Sequence, residues 1–382
     1  MKRLIKHPIK HPTVLENPGL LPAVTLFSRP VQVMLKIGVF AGLLLALLLL
    51  LSWLLTPLQP GERWSVHPEQ DFPIKAETPD SVDAVMLGDS LGYGDFVPAL
   101  LWNQYGYTTY VCSQSAQPLE EAWAQLQATL EEQSPKLVML ETDQFYRSST
   151  LASDISRALL FEAGQRLPIF RFHDQWKQLL GLKQTPALKA LQQTHLKGYR
   201  FSKLTQGYNG TAYMNDSGTL KVQPVTAYYL NKIVSLCQER GINLLFISMP
   251  SPKNYSMKRH NGIALLAEHY SIPYLDLNLD AQQGGIDWAQ DTRDKGDHLN
   301  YRGAQKATLA IGSYLSEHYQ LPDRRGSDIA ASWDETWAAY QQLCQDAENP
   351  DTGGDSSHIG VTEPAYLPAS PELMAAQATT EN

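Results

Sequence analysis

The amino-acid sequence predicts an α/β fold: a three-layer sandwich in which a five-stranded parallel sheet carries helices on both faces. Five short runs of apolar and β-branched residues, at 82–87, 108–112, 136–141, 243–248 and 273–277, have the length and composition of strands. Segments with helix-forming composition and an apolar stripe separate them, and strands that alternate with helices form a parallel sheet covered on both sides. At 382 residues with 43% hydrophobic content, the chain is long enough to bury such a core.

Taken in order, the chain opens on a basic segment, 1–36, where Lys2, Arg3, Lys6, Lys10, Arg29 and Lys36 face a single acid, Glu16. A charge-free apolar run at 37–55 follows, close to the ~20 residues that a membrane-spanning helix needs. No small-x-small cleavage site ends it, so it is expected to be a signal anchor rather than a removed signal peptide. The basic flank places the N-terminus in the cytoplasm and everything after Pro57 outside. The apolar stretch at 20–35, broken by Pro22 and Pro30, is expected to lie along the interface instead of crossing.

Residues 56–80, rich in proline and charge without periodicity, read as a linker, and the globular domain is expected over 81–322. Its first strand, 82–87, breaks at Gly88. Helices are expected at 98–105, 119–133, 226–240 and 262–270. The interval 142–225 exceeds what one crossover helix requires and reads as an insertion. Its aromatic residues, among them Trp176, Tyr199 and Phe201, either line a groove or pack the insertion onto the sheet. A surface helix is expected at 330–344, within a C-terminal segment 323–346, and a disordered tail over 347–382. No internal repeat is present.

The chemistry concentrates at two places. Gly88-Asp89-Ser90-Leu91 ends the first strand, at the sheet edge where open α/β folds bind ligands. A serine hydroxyl becomes a nucleophile only with a base in hydrogen-bond reach and a group that orients the base. His298 follows the fifth strand, among Asp291, Asp294 and Asp297, just before the last helix of the domain. Those three aspartates also fit a simpler role, capping that helix or holding a cation, although their spacing is not that of a known calcium loop. Cys112, Cys237 and Cys344 are far apart and show no zinc spacing, so neither metal nor cofactor is expected. A net charge of −8 gives no electrostatic case for nucleic acid.

Glycine-aspartate-serine after an early strand, with an aspartate and histidine before the last helix, resembles the SGNH (GDSL-type) hydrolase superfamily over roughly residues 80–320. The resemblance implies an SGNH/flavodoxin-like sheet, Ser90 as nucleophile and His298 as base. The family spacing is Asp-x-x-His, but Lys295 stands three residues before His298. Asp294 is therefore the expected orienting residue, if Gly296 lets the loop bulge, and Asp297 is the alternative. The family's Gly-x-Asn-Asp block is replaced by Glu141-Thr142-Asp143-Gln144. Oxyanion donors are accordingly expected from the Ser90 amide and from Gln114 or Gln117 in the loop after the second strand, since a carboxylate would repel the oxyanion.

One N-terminal span, an outward domain and the missing block resemble the membrane-anchored cell-envelope acyltransferases of that superfamily, of the teichoic-acid D-alanyl transfer and alginate O-acetylation types. The resemblance implies acyl transfer through an acyl-serine to a cell-surface polysaccharide or teichoic-type polymer, with a multispanning membrane acyltransferase as partner. An esterase or deacetylase with the same triad, and a non-catalytic envelope protein on the same fold, stand as alternatives.

Overall fold

The computed structural model describes residues 29–55, 73–147, 150–172, 195–209, 212–279 and 284–349. Its first element is helix α1 (Arg29–Leu55). The helix begins before the apolar run because Pro30 occupies its first turn, where a missing N–H costs nothing. Residues 29–35 thus continue the helix, a correction to the expected interfacial segment; 20–28 lie outside the described residues.

The strands are β1 (Ala84–Gly88), β2 (Thr109–Ser113), β3 (Leu137–Glu141), β4 (Asn243–Ser248) and β5 (Tyr274–Asp276). They pair in parallel in the order β2-β1-β3-β4-β5. All five residues of β1 and of β3 are buried, as central strands covered on both faces must be. The connections are α2 (Ser90–Asp95) with α3 (Pro98–Tyr105), α4 (Leu119–Glu132), α7 (Pro224–Arg240) and α8 (Met257–Tyr270), with α9 (Tyr301–His318) after β5. Right-handed crossovers put helices from steps in opposite directions on opposite faces. The chain steps from β1 to β2, then back across β1 to β3. The C-terminal ends of β1 and β3 therefore flank the switch point, where a crevice opens.

The insertion contributes α5 (Leu151–Arg166) and α6 (Ile169–Phe172); residues 173–194, Trp176 among them, lie outside the described residues. Its return limb runs along the edge strand, the Val111 amide donating to the Lys197 carbonyl at 2.9 Å. The groove reading fails for two of its aromatics. Tyr199 is buried edge-on to Tyr340, and Phe201 stacks on Tyr301 with centroids 5.2 Å apart.

Two other boundaries differ from expectation. The end of the expected linker belongs to the domain: Ile74 is 1% exposed, and Glu77 pairs with buried Lys197 at 2.8 Å. The C-terminal helix α10 (Ala330–Glu348) lies at the surface as expected but runs past its expected end, and it packs one face on the domain, where Trp333, Thr336 and Tyr340 recur at helical spacing and are buried. Trp333 packs on Trp102 of α3, whose indole N–H donates to Asp334 at 2.8 Å. The expected tail from 350 onward lies outside the described residues.

Candidate active site

The site begins where β1 runs out. Asp89 caps α2, its Oδ1 accepting from the Leu91 amide at 3.0 Å, and Ser90 is the first residue of that helix. An amide in a helix's first turn has no intrahelical acceptor, which leaves the Ser90 N–H available to an oxyanion. Two glycines make the turn possible. A Cβ on Gly88 would stand 2.6 Å from Glu141 Cβ, and one on Gly92 would stand 2.5 Å from Ser113 Oγ.

His298 is placed from the other side of the sheet edge. The Leu299 amide donates to Asp95 Oδ1 at 3.0 Å, tying the histidine loop to α2. Asn300 then caps α9, accepting from the amides of Arg302 and Gly303. Between Asp294 and His298 the backbone is left-handed at Lys295 (φ 62°) and Gly296 (φ 90°), a bulge that folds the segment back on itself.

This geometry brings the distant residues together. Ser90 Oγ lies 2.7 Å from His298 Nε2, and His298 Nδ1 lies 2.6 Å from Asp294 Oδ2. Asp294 Oδ1 also accepts the His298 backbone amide at 2.6 Å, so one carboxylate fixes both the ring and the loop. Asp297, the alternative, stands 3.8 Å from Nδ1, and its Oδ1 accepts instead from Asn254 at 2.6 Å. Asp291 faces away and pairs with Lys306 at 2.6 Å.

Electrostatics follow from this packing. Burial works against the charged imidazolium of His298, but the hydrogen bond to Asp294 and the charges of Asp95 and Asp294 prevail and raise its pKa above the ordinary 6.5. Burial likewise opposes ionisation of Asp294, yet its bonds to His298 and the charge of Arg293 hold it below the ordinary carboxylate value. With Asp294 ionised and accepting from Nδ1–H, Nε2 is the free acceptor for the serine proton.

The expected oxyanion residues are placed less directly. Gln114 sits beside the turn, its amide 3.4 Å from the Gly88 carbonyl. The Gln117 side chain is fully buried, and neither of its amide atoms has a partner. In the replaced block Gln144 turns inward, donating to the carbonyls of Leu87 and Glu141. Asp143 is paired with two arginines: Arg259 Nη1 reaches its Oδ1 at 2.6 Å and Arg147 Nη2 its Oδ2 at 2.8 Å. Arg147 also binds Asp89 at 2.5 Å, so it draws together the two carboxylates on either side of the switch point.

Behind this pair lies Glu141, fully buried, which accepts from Tyr255 OH at 2.6 Å and from the Asp143 amide at 2.8 Å. Burial, together with the neighbouring charge of Asp143, pushes Asp89 up to about 7 against the pull of Arg147. Burial and the charges of Asp89 and Asp143 drive Glu141 well above its ordinary value. Sequence reasoning missed Asp95, Arg147 and Arg259 as members of this environment. Of the three, only Arg147 carried a local signal, standing four residues after Asp143 on the same turn.

No protein-family model matches the chain, and no curated protein is similar enough in sequence to match it. Solved structures that resemble it include a GDSL-like lipase from Bacteroides thetaiotaomicron, at 12% identity over 65% of this chain and 98% of that one, with a TM-score of 0.33. The psychrotrophic esterase EstA of Pseudoalteromonas sp. is 12% identical over 62% of this chain and 97% of that one, with a TM-score of 0.34. The lipase/acylhydrolase from Enterococcus faecalis is 10% identical over 63% and 99%, with a TM-score of 0.33. At such values the likeness carries no argument of its own. What the chain can do is argued from its site.

Proposed function

We propose that this chain is an SGNH-type serine enzyme that works through an acyl-Ser90 intermediate and passes the acyl group to a hydroxyl of a cell-surface polymer. The observation that carries the serine chemistry is the unbroken line from Ser90 Oγ through His298 to Asp294, at 2.7 and 2.6 Å. In the first half-reaction Ser90 Oγ attacks the acyl carbonyl while His298 Nε2 takes the serine proton. The tetrahedral oxyanion is met by the Ser90 amide, with Gln114 and Gln117 as the proposed side-chain donors. As the intermediate collapses, His298 returns the proton to the leaving group. In the second half-reaction His298 deprotonates the acceptor hydroxyl, which attacks the acyl-serine and restores Ser90. Asp294 remains ionised throughout and steadies the imidazolium.

Transfer to a polymer, rather than to water, is supported by α1. It is a 27-residue helix long and apolar enough to cross a membrane, and none of its most apolar window is buried in protein. An enzyme anchored in this way, with its basic flank in the cytoplasm, sits beside envelope polymers and beside a multispanning membrane acyltransferase able to supply activated acyl groups. The partition of the acyl-enzyme tests this. The full chain in detergent is given an activated acetyl ester, with and without native surface polymer or oligosaccharide acceptors. Acetylated acceptor formed faster than free acetate, and absent in Ser90→Ala, is the expected result. Acetate alone, with every acceptor unmodified, would make the protein an esterase.

A further inference from the structure

We infer that the outward face of α5 is an interfacial helix face that lies on the lipid bilayer crossed by α1. The inference rests on reading α1 as a membrane span, and two features of the insertion carry it.

The first is that α5 exposes its larger aliphatic side chains. Its inward face is held to the domain by charge: Arg157 bridges buried Asp154 at 3.0 Å and Glu120 of α4 at 2.5 Å. Glu162 accepts from Tyr229 OH of α7 at 3.0 Å and lies 3.5 Å from Lys232. The larger aliphatic side chains of the same helix are exposed. Leu151, Ile155 and Leu159 recur at i, i+4 spacing and are exposed, and Leu160 adjoins them; Leu159 is 65% and Leu160 63% exposed. Exposed leucines and an isoleucine in a row on a helix that ion pairs hold to its domain suit an apolar medium rather than water.

The second feature is where this face stands. The Ile169 amide of α6 donates to Ser52 Oγ, 3.1 Å away, near the C-terminal end of α1. Along α1 the apolar run lies between Lys36 and the neighbourhood of Trp53, a basic residue and an aromatic of the kinds found at the two membrane interfaces. At ~1.5 Å per residue that run is about as long as the hydrocarbon core is thick, ~30 Å. Ser52 therefore marks the depth at which α1 leaves the bilayer, and its bond to α6 holds the short α5–α6 hairpin at that level. Lipid is the occupant that this continuity selects. Because α5 begins just after Arg147, whose guanidinium binds the carboxylate beside Ser90, a seated α5 would also hold the serine near the membrane surface.

The test uses the full chain carrying Cys344→Ala, since Cys112 and Cys237 are buried, reconstituted into vesicles of phosphatidylethanolamine and phosphatidylglycerol. Single cysteines at Leu159 and Ile155 carry a small fluorophore, with Leu45 in the span and exposed Leu265 on α8 as references. Quenching by doxyl-labelled lipid is compared with quenching by aqueous iodide. Strong lipid quenching and weak iodide quenching at Leu159 and Ile155, as at Leu45 and opposite to Leu265, is expected. Iodide quenching at Leu159 with lipid quenching at Leu45 overturns the docking and leaves the span standing. Iodide quenching at Leu45 means that the span reading itself has failed. A fluorophore at Leu159 reached by neither quencher would place protein on the face, and would equally overturn a lipid occupant.

Discussion

Asp294 and Asp297 are chemically alike and three positions apart, yet the backbone gives only one of them the imidazole. Asp294→Asn is expected to lower turnover by on the order of 10⁴-fold, because an amide at Nδ1 no longer enforces the tautomer that leaves Nε2 free. Asp297→Asn should change turnover little, since its carboxylate is bonded to Asn254 rather than to the ring. Steady-state kinetics of the two variants check the ranking, and the reverse order would reassign the role. The acid limb of the wild-type pH profile follows from the same contact. His298 must be neutral to act as base, and its pKa is raised, so activity should reach half of its plateau above pH 6.5 and the limb should move down in Asp294→Asn. Glu141 offers a stability test of opposite character. Its folded pKa is raised, so the native state gives up its proton less readily than the unfolded chain. Wild-type stability should therefore fall as pH rises from the ordinary carboxylate range toward the folded pKa. Glu141→Gln keeps an acceptor for Tyr255 and cannot ionise. Denaturant unfolding should find it at least as stable as wild type at neutral pH, with an advantage that grows as pH rises.

At the scale of elements, the loop before α9 and the helix α10 carry the most consequence. Gly296→Ala would require a left-handed alanine, at a cost of roughly 1–2 kcal/mol, with its Cβ 3.0 Å from the Tyr208 ring. Loss of turnover larger than the loss of melting temperature suggests is expected, because the bulge places Asp294. Trp333→Ala should cost about 3–5 kcal/mol in chemical denaturation, a core penalty from a helix that resembles a surface appendage in the sequence. The strands and crossover helices were legible because period and length define them locally: the helix at 98–105 and the strand at 243–248 have the expected bounds. The places of Ser90 and His298 were legible for a similar reason, since one stands where the first strand ends at Gly88 and the other just before the last helix of the domain. Asp95, Arg259 and the inward turn of α10 were not. Their meaning lies in partners far along the chain: Asp95 receives Leu299, Arg259 reaches Asp143, and Trp333 fills the space over Trp102.

At the scale of the whole molecule, the sheet's switch point, the apolar helix α1 and the insertion define one arrangement: Ser90 at the mouth of an α/β domain that carries a long apolar helix on its N-terminal side. The carboxylates and arginines at that mouth, Asp89, Asp143, Arg147 and Arg259, make the surroundings of Ser90 a charged network. All of this has functional meaning only if Ser90 is acylated. The direct measurement is intact-protein and peptide mass spectrometry after brief exposure of the full chain to an activated acetyl ester, in parallel with Ser90→Ala and His298→Ala. A single acetyl group on the Ser90 peptide of the wild type, lost in Ser90→Ala and strongly reduced in His298→Ala, is the expected result. An unlabelled Ser90, or labelling that persists at the same rate without His298, would contradict the account.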